Sequence, residues 1–278
     1  MLADNGFGIE DAPHAFWRAR GKECVIVFYL SGKLVLQGQG AEFWTTIVDP
    51  LHETPDPFAE ALARHPAPAP ERWIGLDESG KGDYFGPLVV SAARLARKDV
   101  PLLAELGVVD SKRIADGRIT ELAGQLGAIV EHVEVVIGPE KYNALHAKMG
   151  NVNRILGWAH ATALEALLAE APADYAVLDQ FGPEHRVRGA LKEQGRELRL
   201  DMMPRAEADP AVAAASILAR HTFNRSIRGL SKRWGLKLPK GAGPPVLSAA
   251  HRFVERHGRE ALSQAAKVHF KTTAKIGT

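Results

Sequence analysis

At 278 residues, with 46% hydrophobic and 24% charged side chains, the chain fits one large globular domain or two unequal ones. That composition excludes a disordered, collagen-like or coiled-coil chain, and no apolar run of about 18 residues marks a transmembrane helix. The net charge of +2 hides a gradient, because residues 1–70 and 71–220 each carry −4 while residues 221–278 carry +10.

Residues 1–16 have no basic flank followed by an apolar run, so no secretory leader is expected. The single cysteine, Cys24, cannot form an internal disulfide and fits a reducing cytoplasm. Residues 24–30 (CVIVFYL) are β-branched and aromatic and read as a strand. Ser31-Gly32-Lys33 reads as a turn and residues 34–37 as a second strand, giving a hairpin before a helix from about Ala41. Residues 54–70 (TPDPFAEALARHPAPAP) hold a short helical stretch and then an Ala/Pro run, which reads as an interdomain linker. The division expected is a small α+β domain over 1–53, a linker over 54–70 and a main domain over 71–278.

After the linker the pattern changes. Residues 73–76, 88–95 and 128–137 read as strands. Residues 153–169 carry apolar side chains at a helical period. Residues 175–178 and 197–202 read as two more strands, and 211–219 (AVAAASILA) as a small-residue helix. Residues 248–257 and 260–267 read as helices separated by Gly258. Strands and helices in this order make a mixed α/β sheet.

Acidic residues stand out at the strand ends. Asp77 and Glu78 follow the apolar strand WIGL and open the stretch DESGKGDYFGP. Two carboxylates at the end of a buried strand are costly unless hydrogen-bonded or metal-bound. Neighbouring strand residues point to opposite faces, so both acids serve one site only if the strand ends or twists there, which Gly80 and Gly82 permit. Asp179 ends a second buried strand, and side by side in one sheet these strand ends would bring their carboxylates together. Glu207 and Asp209 precede the small-residue helix; Asp209, with Pro210 after it, reads as a helix cap. Asp110 also reads as a cap.

Clustered carboxylates without Cys or His select hard cations, Mg²⁺ or Mn²⁺, and two such ions suit in-line displacement at a phosphate. The basic end, with 12 basic and 2 acidic side chains over 221–278, reads either as a solvated surface or as a footprint for a polyanion. Lys267 and Lys271 are expected members of that footprint. His160 lies on the edge of an apolar helix face and reads as a packed core histidine.

These residues carry a specific resemblance. DESGKGDYFGPLVVSAA resembles the signature of type 2 ribonucleases H, and its GKG, where ribonuclease HII has GRG, makes it similar to ribonuclease HIII. Further matches follow in order over residues 73–273: Val109-Asp110-Ser111-Lys112, Asn151-Val152-Asn153, Val177-Leu178-Asp179, Arg205-Ala206-Glu207 before AVAAASILAR, LPKGA and KVHFKTT. The segments 16–20 and 29–38 resemble the second half of the family's extra N-terminal domain, a sheet like that of the TATA-binding protein.

The resemblance implies a ribonuclease H-like mixed sheet flanked by helices, with a small N-terminal α+β domain. It implies a metal-dependent endonuclease that hydrolyses the RNA strand of an RNA–DNA hybrid to 5′-phosphate and 3′-hydroxyl ends. The metal-binding acids fall on Asp77, Glu78, Asp179 and Glu207, with Asp209 as the competitor for the fourth place. Gly80, Lys81 and Gly82 fall at the RNA strand, and Ser111 and Lys112 at a phosphate. Two ions, Mg²⁺ or Mn²⁺, a hybrid duplex as partner, no membrane, and a cytoplasmic monomer are expected. Cleavage at a single embedded ribonucleotide, as in ribonuclease HII, and a non-catalytic nucleic-acid-binding protein of the same fold are the alternatives.

Overall fold

The computed structural model describes residues 2–29, 33–48, 56–109 and 111–276, with backbone alone at 46–48 and 113. Part of the expected turn (Ser31 and Gly32), Leu30, Asp110 and the first two linker positions lie outside the described residues. The chain separates into two compact units, Met1–Ala59 and Glu60–Thr278.

The first unit is an antiparallel sheet of β1 (Gly8–Glu10), β2 (Ala15–Arg20), β3 (Val25–Tyr29) and β4 (Leu34–Gln37), followed by α1 (Ala41–Val48). The expected hairpin is thus half of a four-stranded sheet. The sequence hides β1 and β2 because β1 is three exposed residues and β2 interrupts its apolar positions with Arg18 and Arg20. Those arginines reach the Glu10 carboxylate across the strand pair, at 2.8 and 3.4 Å. Phe7, Ala19, Cys24 and Ile26 form a small core against Trp17, Leu36 and Trp44. Cys24 is buried there as a small apolar side chain.

The helix α2 (Ala59–Leu62) begins at the boundary between the units in sequence. The second unit is a mixed sheet in the order β7-β6-β5-β8-β9, built from β5 (Arg72–Ser79), β6 (Leu88–Ala96), β7 (Glu131–Ile137), β8 (Tyr175–Asp179) and β9 (Leu200–Met203). β5, β6 and β7 pair antiparallel, whereas β8 and β9 add in parallel on the other side of β5. Its helices are α3 (Val100–Glu105), α4 (Asp116–Ile129), α5 (Pro139–Met149), α6 (Val152–Glu170), α7 (His185–Arg188), α8 (Glu193–Glu197), α9 (Pro210–Arg233), α10 (Pro244–His257) and α11 (Lys271–Lys275). Among the described residues no helix is long and apolar enough to cross a membrane.

The sheet is a layer between α6 and α9. Ile74 and Leu76 of β5 pack with Leu88, Val90 and the apolar stripe of α6, from Ile155 to Leu168. The alternate residues face α9, and the fit there is tight at Gly75. A Cβ on Gly75 would lie 2.2 Å from the Ala211 carbonyl carbon and the Val212 nitrogen, so only glycine lets this helix start lie against the strand. A second cluster joins Tyr84, Phe85 and Val89 to Phe223 and Ile227 of α9 and to Val246 and Phe253 of α10.

Several element boundaries differ from the sequence reading. Residues 128 and 129 end α4, and the strand begins only at Glu131. Residues 200–203 form β9, while Glu197 closes α8. α9 continues fourteen residues beyond the small-residue run, to Arg233, and residues 260–264 form a 3₁₀ turn.

Candidate active site

Leu76 on β5 pairs in parallel register with Leu178 on β8. The next residues, Asp77 and Asp179, therefore leave neighbouring strands at the same level. β5 does not end at the acids: it stays paired with β6 through Ser79 opposite Val89. The chain then turns at Gly80, whose φ of 90° suits glycine and whose Cβ would meet the Pro87 carbonyl oxygen at 2.3 Å. Asp77 faces α9 and Glu78 faces α6, yet both line one cavity because they sit at the rim of the sheet, where each face opens onto it.

That cavity has a volume of about 560 Å³ and takes in Asp77, Glu78, Gly80, Lys81, Gly82, Ser111, Lys112 and Asp179. Eight of the nine residues singled out from the sequence thus meet at one place. Glu207 is not among the cavity's lining residues. It lies half-buried in the 3₁₀ turn Ala206–Ala208, next to Ala206, whose backbone N–H points at Asp179 Oδ1 at 3.4 Å.

Asp209 is committed elsewhere. Its Oδ1 accepts from the backbone N–H groups of Ala211 and Val212 and from the Trp73 indole, and its Oδ2 lies 2.6 Å from His65 Nε2. It is 3% exposed. Both oxygens are occupied in capping α9 and in bracing residues 65 and 73.

Electrostatics at the acids follow from burial. Burial, then the neighbouring Glu78 charge, pushes the Asp77 carboxyl up to about 7, while Ser216 and Lys112 oppose this. Burial also pushes Glu78 upward, but the His160 hydrogen bond and charge, followed by Lys81, outweigh it and hold that carboxyl below the usual range. Lys81 Nζ lies 3.4 Å from Glu78 Oε1, and His160 Nε2 lies 3.3 Å from Oε2.

The donor set suits a hard divalent cation. Its candidate ligands are carboxylates, with neither Cys nor His lining the cavity, and Asp77 carries a penalty for ionising that a cation would offset. In this arrangement the acids line the cavity without converging on a point: among the described residues no three His, Cys, Asp or Glu side chains form a group that could hold a metal ion.

The cavity also has a basic lining, Arg220 at the end of AVAAASILAR and Lys240 within LPKGA, whose place in the site the motifs alone do not disclose. Arg220, Asn224 and Lys240 line the cavity, and all three bond to the Asp116 carboxylate, at 2.9, 3.1 and 2.7 Å. Arg220 also donates to the Ser111 carbonyl, and the Ser111 hydroxyl meets Ser216 Oγ at 2.8 Å. This ties residues 111 and 112 to α9. Ser216, the lone hydroxyl in the small-residue run, was the available signal.

Lys267 does not belong to a basic footprint. It has no solvent exposure, and its Nζ donates to the carbonyls of Asp83 and Gly86. Lys271 is exposed. His160 is buried as expected, but it also bonds Glu78.

A family model described as ribonuclease HII matches residues 74–273. The chain is 37% identical to ribonuclease HIII of Chlamydia pneumoniae over 282 residues, covering 99% of this chain and 92% of the relative. It is 37% identical to ribonuclease HIII of Protochlamydia amoebophila, covering 98% and 89%. The solved structure of Bst-RNase HIII in complex with Mn²⁺ superposes with a TM-score of 0.72 at 31% identity, covering 97% of this chain and 91% of that one.

Proposed function

The chain belongs to the type 2 ribonuclease H family and, within it, to ribonuclease HIII, and from that premise we propose that Asp77, Glu78, Asp179 and Glu207 are the acids that serve hydrolysis of the RNA strand of RNA–DNA hybrids. The activity is that of a metal-dependent endoribonuclease leaving 5′-phosphate and 3′-hydroxyl ends. The observation that carries the site assignment is the parallel register of Leu76 with Leu178, which sends Asp77 and Asp179 into one cavity beside Glu78.

Divalent Mg²⁺ or Mn²⁺ bound there, as one or two ions, supplies Lewis acidity to the scissile phosphate and lowers the pKa of the attacking water. The chain's own residues do the rest. Asp77 and Asp179 would hold the ions from adjacent strand ends, Glu78 from the opposite sheet face, and Glu207 from the turn braced on Asp179. Gly80 and Gly82 let the backbone approach the RNA strand, where Lys81 and main-chain groups contact the 2′-hydroxyl that separates RNA from DNA. Ser111 and Lys112, held by Ser216 and Arg220, would receive a backbone phosphate. We read residues 1–53 as a substrate-docking domain joined by the segment 54–70 to the catalytic domain, in a monomer of the reducing cytoplasm; the lone cysteine supports the compartment.

The test is cleavage by the full chain of an RNA–DNA hybrid, and of a DNA duplex carrying one ribonucleotide, during titration with Mg²⁺ and Mn²⁺. Cleavage of the hybrid that disappears with Asp77→Asn is expected. Preferential cutting at the single ribonucleotide would reassign the substrate, and full activity in Asp77→Asn would refute the site.

A further inference from the structure

We propose that His160 and Phe181 are positioning residues that hold Glu78 and Lys81 as a unit, coupling an acid of the metal site to the loop that reads the RNA strand. The proposal rests on the assignment of Glu78 and Lys81 given above. It gives a role to His160, which the sequence reads as a packed core histidine, and to Phe181, which no motif marks.

The arrangement joins four parts of the chain. Glu78 is the penultimate residue of β5, Lys81 lies in the loop after it, His160 comes from the middle of α6, and Phe181 follows Asp179 by two residues. Each oxygen of the Glu78 carboxylate has its own partner, Oε1 facing Lys81 Nζ at 3.4 Å and Oε2 facing His160 Nε2 at 3.3 Å. The Phe181 ring stacks on the His160 imidazole, with centroids 5.1 Å apart and planes 14° from parallel. The same ring lies under Lys81, whose Nζ is 5.5 Å from its centroid. Phe181 therefore supports both arms that grip the carboxylate.

The imidazole's hydrogen bonds show what it is for. His160 is 1% exposed, and its Nδ1 is buried without a hydrogen-bond partner among the described residues. Nε2 is the imidazole nitrogen with an acceptor in reach, so the N–H there points at Glu78. Leaving Nδ1 bare costs stability that an apolar side chain of similar size would not. A histidine kept here for packing alone would be a poor choice. A histidine that fixes the Glu78 rotamer through Nε2 is a good one, because outer-shell partners of ligating carboxylates set their orientation.

Two variants separate the roles. His160→Phe keeps a ring to stack on Phe181 and removes the N–H; His160→Gln keeps an N–H donor of similar reach and removes the ring. Each is measured in the full chain for Mn²⁺ affinity without substrate, by electron paramagnetic resonance of free Mn²⁺, and for kcat and KM on hybrid, with the melting temperature as a check. His160→Phe is expected to weaken Mn²⁺ binding about 10-fold and lower kcat, at an unchanged or higher melting temperature. His160→Gln should recover most of the affinity. Phe181→Leu should raise KM for hybrid, since Lys81 loses its platform.

Wild-type Mn²⁺ affinity and kcat in His160→Phe would overturn the proposal. If His160→Phe does not fold, the glutamine variant decides: near-wild-type affinity supports the proposal, and a 10-fold loss refutes it. A wild-type chain that binds Mn²⁺ but leaves hybrid intact would defeat the functional reading, with the grip on Glu78 still judged by the affinities. A wild type that binds no Mn²⁺ would defeat both.

Discussion

The Nζ of Lys267 lies 2.8 Å from the carbonyl oxygen of Gly86, at a site with no solvent exposure, and donates equally to the Asp83 carbonyl. Two main-chain carbonyls match the two N–H groups of a neutral amine. Burial lowers the amine from its ordinary 10.5 to about 7, against the opposing pull of Asp83. The Tyr142 ring, 5.6 Å from Nζ, closes the third side, and the stacked His146–His269 pair lies beyond it. Lys267 therefore works as a staple on the loop that follows Gly80, Lys81 and Gly82.

The sign of its pH dependence is fixed. In the unfolded chain Lys267 keeps its proton up to about 10.5, whereas in the folded chain it loses it near 7. Between these values the unfolded state binds more protons, so stability rises with pH; below about 7 both states are protonated and the burial penalty is fully present. Urea unfolding at pH 6.5, 8 and 9.5 should show wild type gaining on Lys267→Met by up to about 1.4 kcal/mol per pH unit. Parallel pH profiles for the two proteins would show that the amine does not titrate in this window. The variant should also raise KM for hybrid, because the loop loses its anchor.

Gly75→Ala tests the contact between β5 and α9. The added Cβ would enter backbone at Ala211 and Val212, which cannot yield as a side chain would. Overpacking of this kind costs about 1–3 kcal/mol, and α9 can relieve it only by shifting, carrying Ser216 and Arg220 with it. Lower urea stability together with reduced cleavage is expected. Unchanged stability would mean that the helix start is less closely seated than the geometry implies.

What the sequence disclosed divides along a physical line. Asp77, Glu78, Gly80, Lys81, Gly82 and Asp179 were legible because each sits in a short contiguous motif at the end of an apolar strand. The pairs Glu78–His160 and Gly86–Lys267 were not, since they join residues 82 and 181 positions apart, the first depending on how α6 packs on the sheet and the second on how the C-terminal segment packs on the loop before β6. The helix α4 escaped notice because its three glycines, at 117, 124 and 127, lower helix propensity; tertiary packing of Ile119, Leu122 and Leu126 overrides them. The lower boundary of β7 was misplaced because Ile129 and Val130 look like strand residues, although Ile129 ends α4 and Val130 is its C-cap.

The basic end of the chain separates into structural and exposed cations, and salt dependence distinguishes them. Lys267 is buried, and Lys240 is bonded to Asp116 and Asn224. Lys271 is exposed. If Lys271 contacts a phosphate, Lys271→Ala should reduce the slope of log K against log salt for hybrid binding by about 1. Lys267→Met should leave that slope intact while weakening binding at every salt concentration. Equal slopes for Lys271→Ala and wild type would remove Lys271 from the footprint.

Glu207 and Asp209 differ by two positions, and their substitutions should fail in different ways. Asp209 caps α9 and accepts from the Trp73 indole, with His65 against its other oxygen. Asp209→Ala removes the cap, worth about 0.5–2 kcal/mol, and strands two buried ring N–H groups at about 1–3 kcal/mol each. Its dominant effect should be a lower urea midpoint, with cleavage by the folded fraction largely kept. Glu207 is half-buried in a 3₁₀ turn, so Glu207→Gln should change stability by no more than about 0.5 kcal/mol. Its cleavage rate should fall at least about 100-fold, since stabilisation of transition-state charge at a metal site amounts to several kcal/mol and each 1.4 kcal/mol is a factor of ten. The reverse pattern, a stable but inactive Asp209 variant beside a fully active Glu207→Gln, would move the fourth acid to Asp209 and require the start of α9 to open during the reaction.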